Sequence, residues 1–188
     1  MLQRGALSSA FSVYWDDMKR CRDGKAYWSL LHLTVCLPDI CAALQSKNGD
    51  TKGALFVAWC NQFLKDPLLN GDETYMMRCK VLHQGRAVTG KTGRYSGFSF
   101  GQPASHGTVD HKRVDGPVLH LDVGEFSNEV KQAVERWIQH IESNSNSAEA
   151  LAVEKNLPSL VRINAAKVPV PSGLSGTNVQ IAVIHKTN

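Results

Sequence analysis

The chain has 188 residues, 43% of them hydrophobic, a mean hydropathy of −0.23 and a net charge of +4. That length admits one domain with an appendage, or at most two small ones, and the mild positive charge permits a nucleic-acid partner without requiring one. The five cysteines (Cys21, Cys36, Cys41, Cys60 and Cys79) form no CxxC pair, which argues against a zinc ribbon or a disulfide framework.

The N-terminus has no apolar signal-peptide core, so the sequence predicts a cytoplasmic protein. No membrane partner is expected, because Lys25, His32 and Asp39 bracket or interrupt the most apolar segment.

Leu7, Phe11, Tyr14, Trp15, Met18 and Cys21 recur at helical spacing, with Asp16, Asp17, Lys19 and Arg20 opposite. This predicts an amphipathic helix over residues 8–22, ended by Gly24. Residues 26–45 leave almost no polar face, as a buried central helix does, and Pro38 should kink or split it. Within that helix Asp39 needs a partner, because burying an isolated carboxylate is very costly; Arg78 is the obvious one. Asp50 or Thr51 should cap a third helix, with Phe56, Trp59, Cys60 and Phe63 as its core stripe as far as Lys65.

The fourth segment reads NGDETYMMRCKVLHQGR over residues 70–86. Asn70 and Glu73 have capping-box spacing, and Gly85 marks the exit. Tyr75, Met76, Cys79 and Leu82 lie on one helical face between them. Four helices with short connections read as an up-and-down bundle.

The pattern then changes. Residues 87–101 are glycine-rich with Tyr95, Phe98 and Phe100 between the glycines, and residues 118–123 alternate in a strand pattern. Together they predict a long β-hairpin over 93–124, laid against the bundle, with a polar, mobile loop at 102–116. A last helix over 126–142 carries Phe126, Val130, Ala133, Val134, Trp137, Ile138 and Ile141 on one face. The Ser-Asn-Ser-Asn-Ser run at 143–147 is a linker signal. The expected division is therefore a helical domain at 1–143 and a weakly structured extension at 144–188, with a helical turn at 148–155 and a strand near 179–184.

Arg78 and His83 are the unusual residues of the fourth helix, since polar side chains on a mostly apolar helix need a partner, a solvent path or a job. Nine arginines and seven histidines produce about one such spacing by chance, so the spacing is weak by itself. A second match, Arg113 to His120, crosses Gly116-Pro117, where no helix runs. Four helices with Arg-x4-His towards the end of the last resemble the HEPN superfamily, and the wording RCKVLHQG fits its pattern. The resemblance covers roughly residues 8–86. It implies a mainly α fold: a four-helix HEPN-like bundle with an added β-hairpin and a C-terminal helix.

It also implies an endoribonuclease that needs no metal or other cofactor, of the kind found as toxins and phage-defence effectors. RNA would be the substrate, a homodimer the assembly, and an antitoxin or defence-system protein a partner. A base must activate the 2′-hydroxyl, an acid must protonate the leaving oxygen, and a cation must stabilise the phosphorane-like charge. His83 suits proton transfer, Arg78 suits phosphate, and Asp39 or Glu73 would orient the arginine. Five residues apart places Arg78 and His83 about 140° round a straight helix, so a frayed or tightened last turn is expected to bring them together. The position after the arginine is Cys79, where Asn, Asp or His is frequent in active members. The alternative is a non-catalytic helical module that binds a protein or nucleic acid.

His106, Asp110, His111, His120 and Asp122 cluster around the expected hairpin, but their spacing matches no metal motif, and surface histidines are the expectation. Tyr95, Phe98 and Phe100 with Lys91, Arg94, Lys112 and Arg113 would suit nucleic acid; a packed hairpin with basic tips is the more common outcome.

Overall fold

The computed structural model describes residues 3, 5–87, 93–103 and 110–160, with the backbone of 164–165 and 182–183. The chain divides into two units, residues 1–157 and 158–188. In the second, a two-residue strand, Asn164–Ala165, pairs antiparallel with Ala182–Val183. The first is mainly helical: α1 (Ala6–Asp23), α2 (Tyr27–Leu44), α3 (Gly53–Trp59) running into a π-helical turn at Cys60–Leu64, α4 (Gly71–Gln84), α5 (Val123–Ser143) and α6 (Ala148–Asn156). Three strands complete it: β1 (Gly97–Gly101), β2 (Arg113–Asp115) and β3 (Val118–Asp122).

The nearly all-apolar segment becomes the centre. α2 packs against α1, α3, α4, α5 and α6, and Leu30, Leu31, Val35, Leu37, Cys41 and Ala42 are buried on it. Pro38 lies inside α2 without splitting it. By length and composition α2 does qualify as a membrane span, contrary to the sequence reading, yet half of it is buried inside the protein as in a core helix.

The C-terminal helix is not an addition to a finished bundle. α5 packs on α1, α2 and the π-helical turn. Its N-cap is Asp122, whose carboxylate accepts the Glu125 N–H at 2.9 Å. Trp137 on α5 is fully buried, its ring 5.7 Å from Phe11 and its Nε1–H donated to Gln45 Oε1 at 2.7 Å. α6, which the sequence placed in the extension, packs on α2 and α5. Its last residue, Asn156, donates to the Leu44 and Ser46 carbonyls at 3.0 and 2.7 Å, so it satisfies backbone acceptors at the end of α2.

Two further expectations are corrected. The third helix begins after Lys52 with no side-chain cap; Asp50 instead accepts from the Asn48 amide, which holds it in the preceding turn. The strands at 97–101 and 118–122 pair in parallel, not as a hairpin, in the register Gly97–Val118 to Gly101–Asp122. The cause is local. Gly116, at φ 54°, turns the chain immediately before β3, so β3's hairpin partner is β2, a strand inside the expected loop. β1 is left to take the other edge, giving the order β1-β3-β2.

Candidate active site

α4 is held at both ends as its sequence predicts. The Asn70 side chain accepts the Glu73 N–H at 2.9 Å while the Glu73 carboxylate accepts the Asn70 N–H at 3.0 Å. At the other end Gly85 adopts φ 57°, and the Arg86 N–H reaches back to the Lys80 carbonyl at 3.1 Å. Arg78 and His83 are therefore displayed by a fully formed helix.

The Arg78 guanidinium is the hub. Its Nε donates to Asp39 Oδ2 of α2 at 2.5 Å, and its NH1 contacts His83 Nε2 at 3.0 Å and Cys79 Sγ at 3.8 Å. The contact with His83 needs no unwinding, since α4 stays helical to Gln84; the long arginine side chain closes the angle instead. Arginine has only donors, so Nε2 must be the acceptor and the neutral ring carries its proton on Nδ1. His83 is exposed in the last turn, whereas the Arg78 and Asp39 side chains are 20% and 14% exposed.

Burial opposes charge on both members of this pair. It pushes the Asp39 carboxyl up, and the charge and hydrogen bond of Arg78, with His83, pull back only part of that rise. On Arg78 burial works against the cation, but Asp39 and the bonds to Cys79 and Asp39 outweigh it and hold the guanidinium protonated. The result is a pre-oriented cation beside an exposed imidazole.

Of the four expected residues, the structure gathers Asp39, Arg78 and His83 and puts Glu73 elsewhere. Glu73 is 2% exposed and receives two 2.7 Å bonds from Arg94, which also donates to the Pro67 carbonyl. It fastens the segment before β1 to the start of α4. Burial pushes its carboxyl up, but the bonds from Arg94 and Asn70 and the Arg94 charge together hold it below its ordinary value of 4.5. A depressed carboxyl contributes stability that is full above its unfolded value and is lost as pH falls through the folded one. The stability difference between wild type and Arg94→Ala should therefore shrink as pH drops below 4.5. Urea melts of both proteins at neutral and acid pH check this; a constant difference would remove the Glu73–Arg94 pair as the cause.

Two residues beside the site, Tyr75 and Cys36, were not singled out from sequence. Tyr75 lies one turn before Cys79, and the nearby Cys79 thiol is the first cause of its raised phenol. Cys36, three residues before Asp39, is pushed up by burial and then by the Asp39 charge. Tyr75 and Cys79 fall in the apolar stripe of α4, and only their i, i+4 relation hinted at a shared position. His32, the other polar residue of α2, bonds the Trp28 carbonyl through Nδ1 at 2.8 Å and sits against the Trp28 ring.

The histidines near the strands serve structure. His111 Nδ1 accepts the Asp122 N–H at 3.2 Å, and its Nε2 lies 3.3 Å from Glu129. His120 and Asp110 both meet Arg113, while His106 and Lys91 lie outside the described residues. Among the described residues no three His, Cys, Asp or Glu side chains converge as a metal site. Tyr95 and Phe98 are buried in the core, the more common outcome for such aromatics, and Phe100 is half-buried. Lys112 is held by Asp66 and Glu129 at a 190 Å³ cavity that Arg136 also lines. A 440 Å³ groove lies between Gln45, Lys47 and α6. Neither is lined by Arg78 or His83.

No protein-family model matches the chain, and no curated protein or solved structure matches it.

Proposed function

We propose that the chain is a HEPN-type endoribonuclease that cuts RNA without a metal ion, in the manner of a toxin or phage-defence effector. The observation that carries the reading is the Arg78 guanidinium, fixed by Asp39 and in 3.0 Å contact with His83 Nε2. A phosphodiester docking on Arg78 recruits NH1 to a non-bridging oxygen, and this frees Nε2 of its donor. His83 Nε2 then accepts the proton of the 2′-hydroxyl as that oxygen attacks phosphorus. The P–O5′ bond breaks, leaving a 2′,3′-cyclic phosphate and, once the leaving oxygen is protonated, a 5′-hydroxyl. Arg78 supplies the positive charge that the transition state requires. A homodimer pairing the α4 helices would supply a second His83 as the acid for the leaving oxygen.

The test is end-labelled RNA incubated with the protein in excess EDTA, with the termini assayed for cyclic phosphate and the mass measured by light scattering. Metal-free cleavage by a dimer is the expected result. If no RNA in a mixed pool is cut, or cutting needs added metal, the ribonuclease reading fails. The second reading, a binding module, is favoured by one observation: Cys79 stands beside Arg78 and takes part of its NH1 contact. That module would bind RNA or protein through Arg78 and leave it intact.

A further inference from the structure

We propose that Trp28 is a base-stacking contact for single-stranded RNA, placed so that the bound strand runs along α2 to the phosphate held by Arg78. The proposal rests on the ribonuclease reading above and names the form of its substrate.

Trp28 is 55% exposed, the most exposed of the large apolar side chains among the described residues. Trp59 and Trp137, by contrast, are fully buried. The Trp28 indole is braced rather than loose. The His32 ring meets it with centroids 4.6 Å apart and an interplanar angle of 73°, and the bond from His32 Nδ1 to the Trp28 carbonyl fixes that ring in turn. A rigid, exposed indole with one side chain against it still offers ring surface, and base–aromatic stacking needs only a π-face.

Its position links it to the site. Eleven residues separate Trp28 from Asp39, which on an α-helix is about 20° round the axis and about 16 Å along it. Trp28 and the acid that holds Arg78 thus share one face of α2. At a stacked rise of about 3.4 Å per nucleotide this span covers about five nucleotides, and fewer if the strand is extended. Charge agrees with the path. Asp39 is the only carboxylate on α2, and Arg78 already neutralises it, so this face of the helix presents nothing that repels a phosphate chain.

The experiment compares full-length wild type, Trp28→Ala and Trp28→Phe on a labelled ten-nucleotide RNA and on a dinucleoside monophosphate. Trp28→Ala should raise KM for the ten-mer by about 5- to 150-fold, the size of one lost base–aromatic stack, with kcat nearly unchanged. Trp28→Phe should recover most of that. The dinucleotide is too short to reach Trp28, so its cleavage should be the same in all three. The double variant Trp28→Ala/His83→Ala should likewise bind the labelled ten-mer more weakly than His83→Ala in fluorescence anisotropy. Equal loss on both substrates, or no recovery by phenylalanine, would mean a structural role and overturn the proposal. A change from dimer to monomer in Trp28→Ala would make this face a subunit contact and also overturn it. A wild type that cuts neither substrate defeats the ribonuclease reading and this proposal together. That outcome is recognisable because it appears before any substitution is made.

Discussion

His83→Ala should slow RNA cleavage by about 10²–10⁴-fold, the cost of removing one general acid–base group. Arg78→Ala should slow it by about 10²–10³-fold, the cost of removing a charge-stabilising donor. The two differ in what they do to the fold. His83 is exposed in the last turn of α4, so its loss should leave the circular dichroism spectrum and the urea midpoint unchanged. Arg78→Ala leaves a mostly buried Asp39 without its cation, so some stability should be lost as well. Arg78→Lys separates the effects: it keeps a charge near Asp39 but loses the planar fork, and should stay slow while regaining stability. Asp39→Asn should give a smaller loss than either alanine variant, because Asp39 orients the arginine and does not touch the reacting atoms. Initial rates on end-labelled RNA with EDTA, beside circular dichroism and urea melts, decide the matter. A His83→Ala protein that cuts at the wild-type rate would remove His83 from the reaction.

Trp137→Ala should destabilise the first unit by about 3–5 kcal/mol, the usual cost of emptying a buried large aromatic site. Against a typical total of about 5–15 kcal/mol for a folded domain this is about a fifth or more. The ring is wholly buried against Phe11 of α1, and its N–H satisfies Gln45 just beyond α2. The substitution therefore empties a core position where α1, α2 and α5 meet, and orphans a side-chain acceptor too. Urea unfolding followed by circular dichroism should show one transition at a much lower midpoint. A small early transition, with most of the helical signal surviving to the wild-type midpoint, would show that α5 is peripheral and that the bundle stands without it.

The site was legible where its residues announce a cost. An acid in a nearly all-apolar helix must find a partner, and that requirement ties Asp39 to Arg78 across 39 positions of sequence. The capping signals at Asn70, Glu73 and Gly85 are local, and the structure uses all three. Glu73 shows the limit of the same logic. Its two oxygens were needed by Arg94, which lies beyond α4 in a segment whose path no local signal announces. The neighbours Tyr75 and Cys36 are not legible as site residues because side chains that are half apolar satisfy a core stripe and a polar cluster equally well.

Contacts a few residues apart are legible in the amino-acid order: the helices, the capping box and glycine stop of α4, and the apolar character that sends α2 to the centre. These follow from 3.6-residue periodicity and from backbone groups that must be satisfied locally. The order of the sheet, the place of α5 and α6 in the core and the pairing of Glu73 with Arg94 depend on contacts between distant segments. Strand direction turns on which neighbour a turn delivers first: β2 claimed the hairpin edge of β3 and left β1 to pair in parallel. An amphipathic face records that a helix is covered, without recording by what. The long side chain of Arg78 reaches His83 on an unbroken helix, a contact that backbone spacing alone places on different faces.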